Sequence, residues 1–366
     1  MATPAETPLG PNKITPFIQP PEGSAATRPE PKGLFDGHPV RMEVLRELEG
    51  KSIISARELT FDQVVEICKL AAFLEHTEIW PFHPLDGKIA VTAFFEASTR
   101  TRTSFESAML RLDGKIISIP DSRTTGQAKG ESIEDIGEMF NAYCDLVIMR
   151  HTETDSVDRI LKNLRVPLIN AGNGSGEHPT QALADWYALL KWNPKLAEPK
   201  PDHVPELRLG IMGTPGSMRA VKSFLLLAML FKDHIRDVTV VSEMADPFGE
   251  DVTKDIAAAG IDYAVTNDVR EVLPQLDVIY MNSIAFLGDS YKKLDTRFKL
   301  DTESPLKKEA VILHPLARLD ELSTDLDTTS HNLYFSQAHG AVFVRQALLM
   351  AVLGRLDRLP EELPTV

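Results

Sequence analysis

Short, wholly apolar runs with β-branched centres recur along this chain, each separated from the next by a stretch of helical period. KIAVTAFF (88–95), KIISIP (115–120), CDLVIMR (144–150) and VPLINA (166–171) alternate with helical patterns at 103–112, 131–143 and 155–163. Beyond residue 180 the alternation restarts. QALADWYALLKW and SMRAVKSFLLLAMLFK read as helices, and LRLGIMG, DVTVVSE, DYAVT, LDVIYMN and AVILHP as strands. A strand with no polar side must be covered by helices on both faces, which is the environment of a parallel sheet. The pattern predicts an α/β protein of two domains, each a parallel sheet flanked by helices, joined near residues 175–185. The expected domains are 46–180 and 181–336, with a last helix, FVRQALLMAVLGRL (343–356), beyond the final strand. A chain of 366 residues, 43% hydrophobic, can supply two such cores. TFDQVVEICKLAAFLEH (60–76) reads as a further helix, with Thr60 as N-cap and Asp62 in its first turn.

Residues 1–45 are rich in proline, glycine and alanine and have too little apolar surface to offset the entropy of ordering, so a flexible arm is expected there. Its acidic residues and scarce arginines count against a targeting peptide. No apolar run approaches a membrane span, and the expectation is a cytoplasmic protein that engages no membrane. Cys68 and Cys144 stand alone in apolar, helix-like stretches and read as buried free thiols rather than a disulfide framework or metal cluster. With 39 basic against 53 acidic residues, net charge −14, the chain is not a generic nucleic-acid binder.

Against that acidic background ASTRTRTSFES (97–107) is a basic, hydroxyl-rich cluster placed between a strand and a helix whose apolar face includes Phe105, Met109 and Leu112. Ser98, Thr99, Arg100 and Thr101 therefore fall at a helix N-terminus, where unpaired N–H groups and the helix dipole favour an anion. Hydroxyls add donors, and arginine adds a planar, permanently charged fork that matches phosphate. A lone serine or threonine there could be only an N-cap, but STRTR as a unit exceeds that role.

With these residues in view the chain resembles the aspartate carbamoyltransferase catalytic chains. FFEASTRTRTSFESAMLRLDGKII, KGESIEDI, DLVIMRH, NAGNGSGEHPTQALADWYAL, LHPLARLDEL and YFSQAHGAVFVRQALLMAVL follow that family's order and spacing over about 47–356. The resemblance implies a carbamoyltransferase-like fold, in which a carbamoyl-phosphate domain is completed by the C-terminal helix (337–366) and an acceptor domain follows it. It implies carbamoyl transfer from carbamoyl phosphate to the amino group of aspartate, with neither metal nor organic cofactor. It also implies a homotrimer with shared active sites, and leaves a regulatory chain open.

Residue by residue, it implies that Ser98, Thr99, Arg100 and Thr101 hold the phosphate, and that Thr101, Arg150 and His178 contact the carbamoyl oxygen. Gln181 and the Leu316 carbonyl would bind the carbamoyl NH₂. Lys129 would reach a neighbouring subunit's site, and Arg219 would bind the acceptor's α-carboxylate. The departing phosphate could itself take the amine proton, which would account for the lack of an obvious second base.

Three departures cluster on the acceptor side. Ser283 and Ala285, in YMNSIAFLGDSY, replace the family's arginine and glutamine. Loss of that guanidinium would cost about 2–5 kcal/mol of acceptor binding. Ala317, in HPLAR, replaces a cis-proline, so the bond after Leu316 is either trans in a reshaped loop or cis before alanine. Ala128 stands where a second lysine is common. These departures raise two alternatives, a non-aspartate amino or amide acceptor and a non-catalytic carbamoyl-phosphate-binding paralogue. A third, a dinucleotide-dependent oxidoreductase, rests on the glycines of LGIMGTPGSMRAV and on Glu243 at the end of the following strand.

Overall fold

The structure, a computed structural model, describes residues 29–77, 83–199, 206–282 and 298–359. Two helices, α1 (Lys32–Phe35) and α2 (Met42–Arg46), precede α3 (Phe61–His76). The first sheet comprises β1 (Ile89–Phe94), β2 (Lys115–Ile119), β3 (Leu146–His151) and β4 (Leu168–Asn173). Between these strands run α4 (Thr99–Arg111), α5 (Ile133–Tyr143) and α6 (Ser156–Ile160), and α7 (Pro179–Trp192) follows β4. The second sheet comprises β5 (Leu207–Met212), β6 (Ile235–Val241), β7 (Tyr263–Thr266), β8 (Val278–Tyr280) and β9 (Val311–Leu313), with α8 (Arg219–Ala228) and α9 (Gly249–Ala259) between its strands. Last comes α10 (Tyr334–Val352). The sheets run in the orders β2-β1-β3-β4 and β7-β6-β5-β8-β9, with every pairing parallel. The two parallel sheets and their covering helices are those the apolar alternation predicts.

Local details follow the sequence in places and depart from it in others. Thr60 caps α3 in a reciprocal capping box with Gln63. β2 and β7 are not the buried strands expected, because both are sheet edges and most of their residues are exposed or half exposed. An edge strand loses cover on one side whatever its composition. Of the arm expected over 1–45, residues 29–45 fold against the rest of the chain. Leu34 and Leu45 are buried, α1 and α2 pack on α3, and the Arg41 side chain donates to Glu66 Oε1 at 2.9 Å. The last helix begins at Tyr334, nine residues before the expected start, because its first turns mix polar Gln337 and His339 with small residues. It ends before Gly354, which takes φ +63°.

Buried on nearly every side from Gly340 onward, α10 packs against α3, α4 and α7 and so returns to the first half of the chain. α7 is buried almost throughout and packs on α8 and α10. Trp186 of α7 stacks on Phe224 and Phe231, which fixes the second half against the first. The expected boundary at 180/181 therefore falls within a helix that belongs to the core of both halves. Cys68 is fully buried and Cys144 half-buried, both as free thiols. Burial pushes the Cys144 thiol up to about 11. Among the described residues no helix is long and apolar enough to cross a membrane.

Candidate active site

In both sheets the loops that leave the carboxyl ends of the strands converge on a single cleft of about 1110 Å³. β1 leads into 97–101, β3 carries Arg150, and β4 leads through Gly174 to His178 and Gln181. From the other side β5 leads to 217–220, β8 to Asn282 and β9 to His314–Leu316. A crevice at the carboxyl ends of parallel strands is where α/β sheets bind ligands.

The structure brings Ser98, Thr99, Arg100, Thr101, Arg150, His178, Gln181, Arg219 and Leu316 to this cleft. Ser98 is the N-cap of α4, its hydroxyl makes no capping bond, and the first turn of the helix holds no acid. Arg100 donates to the Leu316 carbonyl, closing one side of the cleft. The Leu316–Ala317 bond is cis, and Ala317 itself does not line the cleft. Lys129 lies exposed in the turn Gly126–Lys129, away from its own chain's cleft. Ser283 and Ala285 lie outside the described residues.

Sequence reasoning passed over Glu96, although it sits inside the quoted motif. Its Oε1 accepts from Arg150 Nη2 at 2.7 Å and from Arg219 Nη2 at 2.6 Å, and Oε2 accepts from Arg219 Nη1 at 2.8 Å. Arg219 Nη1 also donates to the Gly174 carbonyl at 3.0 Å. A Cβ at Gly172 would sit 3.1 Å from the Arg219 guanidinium, so glycine there leaves room for the pair. One carboxylate thus joins an arginine from each half of the chain across the cleft. The loop after β9 is held separately. His314 Nδ1 accepts from the Leu316 N–H at 2.8 Å, and its Nε2 pairs with buried Glu321 at 2.9 Å.

The glycines that raised a dinucleotide reading have a packing role. Gly216 N–H donates to the Pro247 carbonyl at 2.8 Å, and a Cβ there would meet the Phe248 carbonyl at 2.6 Å.

Residues 51–191 match the family model for the aspartate/ornithine carbamoyltransferase carbamoyl-P binding domain, and 206–352 match that for the Asp/Orn binding domain. The chain belongs to the aspartate/ornithine carbamoyltransferase family. It is 34% identical to the aspartate carbamoyltransferase catalytic subunit of Methanobrevibacter smithii, over 85% of this chain and 97% of that protein. It is 33% identical to the chloroplastic aspartate carbamoyltransferase of Arabidopsis thaliana, over 86% of this chain and 79% of that one. Aspartate transcarbamoylase from Trypanosoma cruzi, solved with carbamoyl aspartate and phosphate, superposes with a TM-score of 0.74 at 30% identity. That match covers 84% of this chain and 98% of the other. The fold is accordingly a carbamoyltransferase fold, and the chain is a transferase of this family.

For a carbamoyltransferase-family cleft the electrostatics are strongly positive within an acidic protein. Burial and the neighbouring Arg219 push the Arg150 guanidinium down, with Glu96 acting against them. Burial alone would raise the Glu96 carboxyl, yet the hydrogen bonds and charges of Arg219 and Arg150 hold it below the ordinary range. Arg345 of α10 is fully buried at the cleft wall, over the Phe105 ring at 4.7 Å, and donates to Ser104. Burial pushes it down to about 9.

His178 is buried, and its ordinary value is pushed well down, first by burial and then by Arg150 and Arg219. Thr180 Oγ1 lies 3.4 Å from its Nδ1, and its Nε2 has no protein partner. In the tautomer in which Thr180 donates to Nδ1, the ring proton sits on Nε2 and is left to donate to a ligand. A depressed value means the neutral ring persists as pH falls through the ordinary histidine range. Nitrogen NMR of the labelled protein is therefore expected to show His178 still neutral where an ordinary histidine is half protonated, with its midpoint shifted well to the acid side. A titration midpoint at or above the ordinary histidine value of about 6.5 would contradict this arrangement.

Proposed function

We propose that this chain moves the carbamoyl group of carbamoyl phosphate to the amino group of aspartate. The observation that carries the reading is the convergence of the α4 hydroxyl–arginine cluster, Arg150, His178 and Gln181 on one cleft. That cleft lies between the segments matching the carbamoyl-P and Asp/Orn binding domains.

In this reading Ser98, Thr99, Arg100 and Thr101 hold the phosphate at the amino end of α4. The neutral amine of aspartate attacks the carbamoyl carbon, and the carbonyl oxygen gains negative charge in a tetrahedral intermediate. Thr101, Arg150 and the Nε2–H of His178 stabilise that charge more than the ground-state carbonyl, which is what lowers the barrier. The C–O bond to phosphate then breaks, and phosphate leaves with its electron pair and accepts the amine proton. Gln181 and the Leu316 carbonyl accept from the carbamoyl NH₂, and Arg219 binds the α-carboxylate of aspartate.

The expected domain division and the homotrimer belong to the same reading, with Lys129 serving a neighbouring subunit's site in the cytoplasm. A trimer mass by sedimentation is the check on the assembly. The Asp/Orn binding-domain match and the relatives' names favour aspartate over another acceptor, and favour an enzyme over a non-catalytic paralogue. Purified full-length protein with radiolabelled carbamoyl phosphate is expected to form carbamoyl aspartate, with phosphate release dependent on aspartate. Turnover with ornithine or another amine but not aspartate would replace the acceptor, and acceptor-independent phosphate release would remove the transferase reading.

A further inference from the structure

Asp185 is a fully buried acid that takes no part in the chemistry just described. It lies one turn after Gln181 on α7. Its Oδ1 accepts from Gln181 Nε2 at 2.7 Å and from Gln337 Nε2 at 2.6 Å, and its Oδ2 pairs with the Tyr280 hydroxyl at 2.9 Å. A glutamine amide has a donor end and an acceptor end, and which end faces a ligand depends on what pins the other. Because Oδ1 can only accept, Gln181 must turn its NH₂ toward Asp185 and leave its carbonyl oxygen to the cleft. Gln337 is pinned in the same sense, and its Oε1 accepts from the His314 backbone N–H at 2.8 Å. His314 in turn receives the Leu316 N–H.

Burial pushes the Asp185 carboxyl up to about 7, against the pull of its three hydrogen bonds and Arg345. The orientation does not depend on that titration. A proton on Oδ2 would be donated to the Tyr280 oxygen, and Oδ1 would still accept from both amides.

We propose that Asp185 is the positioning residue for recognition of the donor's NH₂ group. Its carboxyl orients Gln181 directly, and it orients the Leu316 carbonyl through Gln337 and His314. Two acceptors are thereby aimed at one NH₂, and a donor with a methyl group in its place, such as acetyl phosphate, leaves both unpaired. This rests on the assignment of Gln181 and Leu316 to the carbamoyl NH₂, and the experiment separates that assignment from the role of Asp185.

KM for carbamoyl phosphate and the inhibition constant of acetyl phosphate are measured for wild type, Gln181→Ala, Asp185→Leu and the double variant. Gln181→Ala is expected to raise KM for carbamoyl phosphate about tenfold and to leave acetyl phosphate binding nearly unchanged. Asp185→Leu gives neither amide an acceptor, so Gln181 can turn either end to the cleft, and this variant is expected to lose the same discrimination by about fivefold or more. Because both changes act through one group, the double variant should be no worse than Gln181→Ala alone. Gln337→Met leaves Asp185 in place and should lower the carbamoyl-to-acetyl preference about threefold.

Wild-type discrimination in Gln181→Ala would remove the underlying assignment. Sensitivity at Gln181 combined with an Asp185→Leu protein that keeps wild-type discrimination, that binds both phosphates equally weakly, or whose loss adds to that of Gln181→Ala, would overturn the positioning role. Where Asp185→Leu yields no folded protein, Gln337→Met carries the test, and an unchanged preference in it would overturn the proposal.

Discussion

Replacing Glu96 by alanine is expected to lower kcat/KM with aspartate by about 100-fold. Glu96 neutralises Arg150 from β3 and Arg219 from the start of α8, both largely buried. Without it the two guanidiniums face each other as like charges, and the tie between the two halves of the cleft is gone. Truncating one member of a buried, hydrogen-bonded charge set costs about 2–5 kcal/mol, and a Glu96 side chain 26% exposed belongs toward the lower part of that range. At about 1.4 kcal/mol per tenfold, the middle of that lower part gives the 100-fold figure.

A competing effect runs the other way. Freed of Glu96, Arg219 could bind an acceptor carboxylate more readily and lower KM. The kinetic constants separate the two. Loss of the tie should appear in kcat, and liberation of Arg219 in a smaller KM for aspartate. Glu96→Gln keeps one acceptor oxygen and should fall about tenfold, between alanine and wild type. Steady-state kinetics within threefold of wild type for Glu96→Ala would show that the bridge is incidental to turnover.

The layout of the sheets was legible because it rests on local pattern. The apolar runs that became β1, β3, β4, β5 and β8 carry their burial in their own residues. β2 and β7 have the same local composition as their neighbours, and only strand order makes them edges. The placement of the hydroxyl–arginine cluster at the cleft was legible for a related reason: Ser98 to Thr101 are contiguous, and a strand followed by a helix fixes where they stand.

The contacts that organise the site were not legible, because they join residues far apart in sequence. Glu96 meets Arg219 across 123 positions, and Asp185 meets Gln337 across 152. Nothing in FFEASTR distinguishes an acid that ties two domains from one that faces water. In QALADWYAL the acid Asp185 looks like a solvated helix residue, whereas α10 and β8 bury it completely. The acceptor-side departures at 283 and 285 fall outside the described residues.

The donor half is where the second large effect is expected: Arg100→Ala should lower kcat about 1000-fold while leaving thermal stability nearly unchanged. Arg100 is exposed in the first turn of α4, so its removal leaves no cavity and no unpaired buried group. Its guanidinium donates to the Leu316 carbonyl, which spans the cleft from the phosphate end to the loop after β9. In the proposed reading alanine removes a phosphate donor together with one anchor of the Leu316 carbonyl. Loss of a single preorganised donor to developing charge costs about 10²–10³ in kcat, and the second function of this side chain places the expectation at the upper end. Lysine restores the charge but not the planar fork, because an ammonium cannot hold a phosphate oxygen and a carbonyl in fixed directions. Arg100→Lys should therefore recover phosphate binding more than turnover, with KM for carbamoyl phosphate near wild type and kcat still depressed at least tenfold. Full recovery of kcat by lysine would reduce Arg100 to a point charge, and the phosphate cradle would then rest on the backbone N–H groups and hydroxyls of the α4 amino terminus.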